Sequence, residues 1–263
     1  MMRAILSVVL AIGVAAPAMA DVTLKQTTSG KGMGMTGGGT MATTYIKGLK
    51  MRTDTVVGDA TRTMIFDVEA RKMYMFDSKK KESQEVDMEL FAADIGRNVQ
   101  ADEMKASLKA NGQTRQIGGR SAAGYDMDIS VPAVIGGEKG MKMTVMMTGP
   151  MWIVKGAPGS ADYARFYKGA AEKGFIFSDP SAAKGSPGQA KAMAEMYRQM
   201  ADIGGVPYET EMSIKMVGDG PMAAMMARMG GMAMTTSVQS VDTETLSADL
   251  FAPPAGYKVT TKK

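Results

Sequence analysis

Apolar and polar positions alternate most sharply in residues 45–87. Short runs rich in aromatic, β-branched or Met side chains are separated there by Gly58-Asp59, Glu69-Ala70 and residues 78–81. Period-two runs with tight polar links predict an antiparallel meander. In the second run Met64, Phe66 and Val68 share one face with Arg62, and Thr63 and Asp67 fall on the other. The third run, residues 71–77, is apolar on both faces, because Met73 and Met75 oppose Tyr74 and Phe76. Such a strand is either covered on both sides or has one face lining a cavity.

The same pattern extends along the chain. Residues 21–28 alternate through Val22 and Leu24, and the Thr-rich residues 40–46 favour a further strand. Residues 88–110 place Leu90, Phe91, Ile95, Val99, Met104 and Leu108 near one face of a helix that Asn111-Gly112 would end. A hairpin follows, 113–117 and 124–131, joined through Gly118-Gly119. Residues 141–147 and 151–154 read as strands broken at Gly149-Pro150. A helical insertion spans about 159–204, with Tyr163, Phe166 and Tyr167 at helical spacing in its first half. Its second half carries Ala190, Met193, Ala194, Tyr197, Met200 and Ala201 on one stripe. Residues 208–217 and 232–241 alternate as strands, bridged by a short helix that starts at Pro221 and aligns Met222, Met225, Met226 and Met229.

Residues 1–20 change the picture of where this chain works. Arg3, an apolar run over 4–16 and then Pro17-Ala18-Met19-Ala20 form a secretory signal cleaved after Ala20. The run is too short to span a bilayer. The expectation is a periplasmic protein, not integral to the membrane, with residues 21–263 as a single domain. Lys and Arg number 31 against 27 Asp and Glu, too small an excess for a nucleic-acid surface. The chain has no His and no Cys. That removes imidazole bases, Ser-His-Asp and Cys-His nucleophiles, His- or Cys-ligated zinc, and disulfides. The expected protein is therefore non-enzymatic and has no cofactor. Residues 32–37 formally match a dinucleotide fingerprint, but lack the buried strand before and the helix after that it needs. Asp126 and Asp128 share a strand face and invite an acid–base or metal reading, but with no third ligand or basic partner recognisable beside them a solvated strand face explains them better.

Several fragments recur in a fixed order: Tyr45-Ile46-Lys47-Gly48 with Met51-Arg52, Ile117 with Gly119 and Tyr125, Trp152-Ile153, Gly205-Val206-Pro207, and residues 251–257. Together they resemble a family of exported bacterial proteins of unknown function, related to the LolA/LolB-like lipoprotein carriers. The resemblance implies a mainly β (α+β) fold: a curved antiparallel half-barrel sheet with helices packed on its concave or open side. It also implies binding of a lipid, an acyl chain or another apolar ligand, with lipoprotein handling as its use.

The chain contains 29 methionines, and three readings of them stand side by side. They are adaptable core filler, a pliable cavity wall, or thioether ligands for Cu(I). The cavity reading selects Met64, Phe66, Met73, Met75, Met212, Met216, Met225 and Met226 as the lining of an apolar pocket of a few hundred Å³. The copper reading selects the pairs Met33/Met35 and Met141/Met143, and makes the protein a Cu(I) binder or buffer. A third alternative is a partner-binding envelope protein whose sheet or edge strands dock another chain.

Overall fold

The computed structural model describes residues 21–31, 39–97, 104–135, 141–175, 187–218 and 231–262. The expected meander is present, together with the strands before it. β1 (Val22–Lys31), β2 (Thr40–Lys47), β3 (Lys50–Val57), β4 (Ala60–Asp67), β5 (Lys72–Asp77) and β6 (Glu82–Asp87) pair in succession, all antiparallel. Gly58 turns the chain between β3 and β4 at φ 61, a conformation that only a residue without Cβ adopts freely. A second meander runs through β7 (Lys105–Ile117), β8 (Arg120–Ile135), β9 (Met141–Val154), β10 (Val206–Gly218) and β11 (Met232–Thr243). β1 pairs with β11 and fuses the two into one sheet. Finally β12 (Lys258–Lys262) lies parallel beside β6. The fold is thus mainly β: a twelve-stranded mixed sheet that does not close, ending at β12 and β7.

Among the described residues three helices join it: α1 (Met88–Arg97), α2 (Ser160–Glu172) and α3 (Pro187–Ile203). They pack on one face. Phe91 of α1, Phe166 and Ala170 of α2, and Met196 and Met200 of α3 share a core with Leu24, Ile46, Phe66, Ile129 and Ile153 from the strands. Burying one such large side chain stabilises the fold by about 1.5–3 kcal/mol. Among the described residues no helix is long and apolar enough to cross a membrane.

The opposite face is covered too, beside β2 to β6. Ile65 and Phe76 pack there against Phe251, with Tyr45, Tyr74 and Tyr257 around them. Phe251 comes from a 3-10 turn, Ala248–Phe251, in the segment before β12. Arg52 holds that segment by donating to the carbonyl of Leu250 at 3.1 Å, while Asp54 accepts from Arg52 at 2.9 Å and from Thr63 at 2.7 Å. β5 is therefore covered at Tyr74 and Phe76 on one side and at Met73 on the other, which accounts for much of its two apolar faces.

Three expectations are corrected. The helix expected over 88–110 is present over Met88–Arg97, residues 98–103 lie outside the described residues, and from Lys105 the chain belongs to β7. Leu108 fits a helical stripe, but it fits alternation equally well, and as a strand residue it meets Met127 of β8. Leu90, assigned to the apolar stripe, is 60% exposed. Asn111-Gly112 marks a bulge, where the β7–β8 register shifts between Ala110 and Thr114. Gly149-Pro150 does not break β9, which runs through it. A Cβ on Gly149 would lie 2.0 Å from the Glu211 carbonyl oxygen, so the glycine serves close strand approach. The sheet expected to be antiparallel carries one parallel pair, at β12. The expected signal sequence and the short helix expected from Pro221 fall outside the described residues.

Candidate functional site: a methionine and threonine strip

The helix-bearing face has two zones. Near the β2–β3 turn, Ile46, Met51, Phe66, Val68, Met73 and Val86 are buried in the shared core. Towards the other ends of the same strands, the side chains of this face are only half-buried. Met64 and Met75 are register partners across β4 and β5, and Thr53 sits opposite Met64 on β3. Gln26 and Thr28 continue the row on β1, and Thr236 on β11. Met212 pairs with Met234 and Ile214 with Met232 across β10 and β11, and Met216 follows on β10. All of these positions are half-buried. Hydroxyl pairs tie the middle together: Thr28 Oγ1 to Thr236 Oγ1 at 2.9 Å, and Thr44 Oγ1 to Thr53 Oγ1 at 3.3 Å. The result is a strip with thioethers at both ends and hydroxyls between. Thioether side chains change rotamer cheaply and offer a polarisable surface, and the threonines supply hydrogen-bonding partners.

Four of the expected pocket residues, Met64, Met75, Met212 and Met216, lie on this strip. Phe66 and Met73, 2% and 0% exposed, are register partners in the solid core instead. Met225 and Met226 lie outside the described residues, as do Met33, Met35 and the side chain of Met141. Met143 is 3% exposed, opposite Gly218. Sequence reading missed Met232, Met234 and the threonines. Their signal was present in Met232-Ala233-Met234 and in threonine at alternate positions 53 and 55.

Other polar groups are held in place structurally. Tyr163, Tyr167 and Tyr197 form an aromatic cluster between α2 and α3: Tyr163 is tilted against Tyr167 at 4.8 Å, Tyr167 stacks on Tyr197 at 4.9 Å, and Tyr167 donates to Met51 Sδ at 3.7 Å. Burial pushes all three phenols above their ordinary range, so they stay neutral. On the other face of the sheet, Arg115 lies 4.2 Å above the Trp152 ring and pairs with Glu209. Asp126 and Asp128 are exposed, and Asp126 accepts from Asn111 Nδ2 at 2.9 Å.

A cleft of about 400 Å³ lies at the β2–β3 turn, lined by Asp21, Lys47, Leu49, Lys50, Glu69 and Phe251 among others. None of the eight expected pocket residues lines it. Its lysines are engaged: Lys47 donates to Asp21 Oδ2 and to the Leu246 carbonyl, each at 2.8 Å, and Lys50 pairs with Asp67 at 2.8 Å. Burial alone would raise the Asp67 carboxyl, but the Lys50 hydrogen bond and the Ala70 amide outweigh it and hold the group below its usual range.

No family model matches this chain, and comparison with curated proteins returned no match. Solved structures with similar outlines include an uncharacterised conserved protein from Thermus thermophilus, at TM-score 0.43 and 8% identity, with 93% of this chain and 92% of that chain covered. A protein described as PNGF-II gives TM-score 0.39 and 10% identity over 92% of this chain and 31% of the other. A LolA superfamily protein from Nitrosomonas europaea gives TM-score 0.31 and 6% identity over 89% and 91%. Each is a likeness of outline, at a level that assigns no family.

Proposed function

We propose that this protein is a non-catalytic, exported binding protein of the periplasm that holds an apolar ligand, such as a lipid or acyl chain, along the methionine and threonine strip. One observation carries the reading. Strand positions whose neighbours are buried under helices bear half-exposed thioethers instead, a surface suited to apolar chains of varying shape. The placement of the helices supports a curved sheet. α1 follows β6 and touches α3, which in turn packs on β7 and β8, so both flanks of the sheet meet one helical layer. The kinship with lipoprotein carriers rests on the sequence fragments quoted above and is part of the same proposal.

The test is uptake of a fluorescent fatty acid by the purified protein. Met64→Asp with Met212→Asp is expected to weaken uptake at least about tenfold, since a carboxylate beside the bound chain must be desolvated. Circular dichroism should stay that of the parent, because both sites are half-exposed. Wild-type protein that binds no acyl probe would sink the proposal.

A further inference from the structure

The strip has a chemical property independent of any ligand. The chain has no cysteine, so thioethers are its principal sites for two-electron oxidation. Met41 on β2 is 62% exposed, and Met104, Met146 and Met193 are half-buried outside the strip; apart from these, two groups of described methionines contrast. Met73, Met147, Met196 and Met200 are between 0% and 2% exposed. Met64, Met75, Met212, Met216, Met232 and Met234 are half-exposed and gathered on one face. We propose that these six form a methionine-oxidation site, at which the folded protein takes up oxygen from a peroxide and changes one face from apolar to polar.

The chemistry balances with a hydroperoxide as the oxidant. The sulfur lone pair attacks one peroxide oxygen and the O–O bond breaks. The sulfur is oxidised by two electrons to the sulfoxide, and the oxidant is reduced. In the case of hydrogen peroxide, the transferred hydroxyl gives its proton to the departing hydroxide, and the by-product is water. The surroundings can accept the product. A sulfoxide oxygen is a strong acceptor, and hydroxyl donors lie on the same face: Thr53 opposite Met64, and Thr210 and Thr236, themselves paired, next to Met212 and Met234. In the solid core, around Met73 or Met196, the same oxygen would be buried among apolar side chains without a hydrogen-bond donor, which is strongly unfavourable. The fold therefore tolerates oxidation on the strip and resists it beneath the helices.

The experiment treats the folded, signal-free chain with graded hydrogen peroxide. It locates added oxygen by peptide mass mapping and follows circular dichroism and retention on a hydrophobic-interaction column. The six strip methionines are expected to oxidise about ten times faster or more than Met73, Met147, Met196 and Met200, in keeping with access control of thioether oxidation. Retention should fall while the dichroism holds, and methionine sulfoxide reductases should restore it. A variant with Met64→Leu, Met75→Leu, Met212→Leu and Met234→Leu keeps volume and apolarity, and its retention should respond far less to peroxide. Equal oxidation of both populations would overturn the proposal, as would loss of dichroism in step with the first oxygen added. So would an undiminished response in the leucine variant. None of these readouts needs a bound lipid, so the inference stands or falls separately from the acyl-probe test.

Discussion

A missing methyl group sets how closely β9 and β10 approach. Gly149 has φ 150, and a Cβ there would meet the Glu211 carbonyl oxygen at 2.0 Å, a backbone atom that cannot swing aside. Gly156 has φ 70 with nothing within 4 Å of its would-be Cβ, so only its backbone conformation resists substitution. Gly149→Ala is accordingly expected to destabilise by about 3 kcal/mol or more, in the range of core overpacking and strain. Gly156→Ala should cost about 1–2 kcal/mol from its positive φ alone. Urea unfolding of the two variants distinguishes these cases, and equal losses would refute the close-approach account. The sequence shows Gly149-Pro150 plainly and invites a strand break. Which glycines are turns and which are gaps for a neighbouring strand depends on β10, some sixty positions away in pairing, where local spacing carries no information.

At the level of elements, the exposed side of β7 is where α3 does most to finish the sheet. Gln199 accepts from the Leu108 amide at 2.8 Å and donates to the Ala106 carbonyl at 3.0 Å, standing in for part of a neighbouring strand. Its second amide hydrogen goes to Glu195 at 2.8 Å, and Glu195 is held in turn by Arg198 at 2.6 Å. Blocking a free edge in this way limits pairing with other chains. The Arg198 hydrogen bond holds the Glu195 carboxyl below its ordinary value of 4.5. A lowered carboxyl stabilises the fold fully above that ordinary value, and the contribution fades as the pH falls below it through the folded value. Wild type is therefore expected to melt above Glu195→Gln at neutral pH, with the gap closing as the pH falls below the ordinary carboxylate range. A gap that persists in acid would show that the charge does not act this way. The misread helix over 88–110 has a related origin. A stretch whose apolar residues suit both periods is decided by its partners, and β8 supplies Met127 and Ile129 for Leu108 and Ala106 to meet. The meander at β2 to β6 was legible because its turns are local, and so was the helical insertion, whose tyrosine spacing suits only one period.

Across the whole molecule, two strand pairings bring distant parts of the chain together. Thr28 and Thr236, 208 positions apart, pair across the junction of β1 and β11, and β12 brings the C-terminal region back to β6. No sequence period announces either, which is why the parallel pair was not foreseen. The strip shares this origin, since its two methionine ends belong to different meanders. There is a consequence for a chain that leaves the ribosome or an export channel N-terminus first. The first six strands emerge early, with β1 and β6 both unpaired at their outer sides. Their partners, β11 and β12, lie within residues 232–262 and emerge last. Until then the growing polypeptide presents two ready templates for self-association, a hazard of topologies rich in long-range pairing. A fragment of residues 21–230 is expected to self-associate at concentrations where the intact protein stays dispersed. Light scattering measures this directly, and a monodisperse fragment would refute it. Both outer edges of the first meander thus stay open until the strands of residues 232–262 arrive to close them.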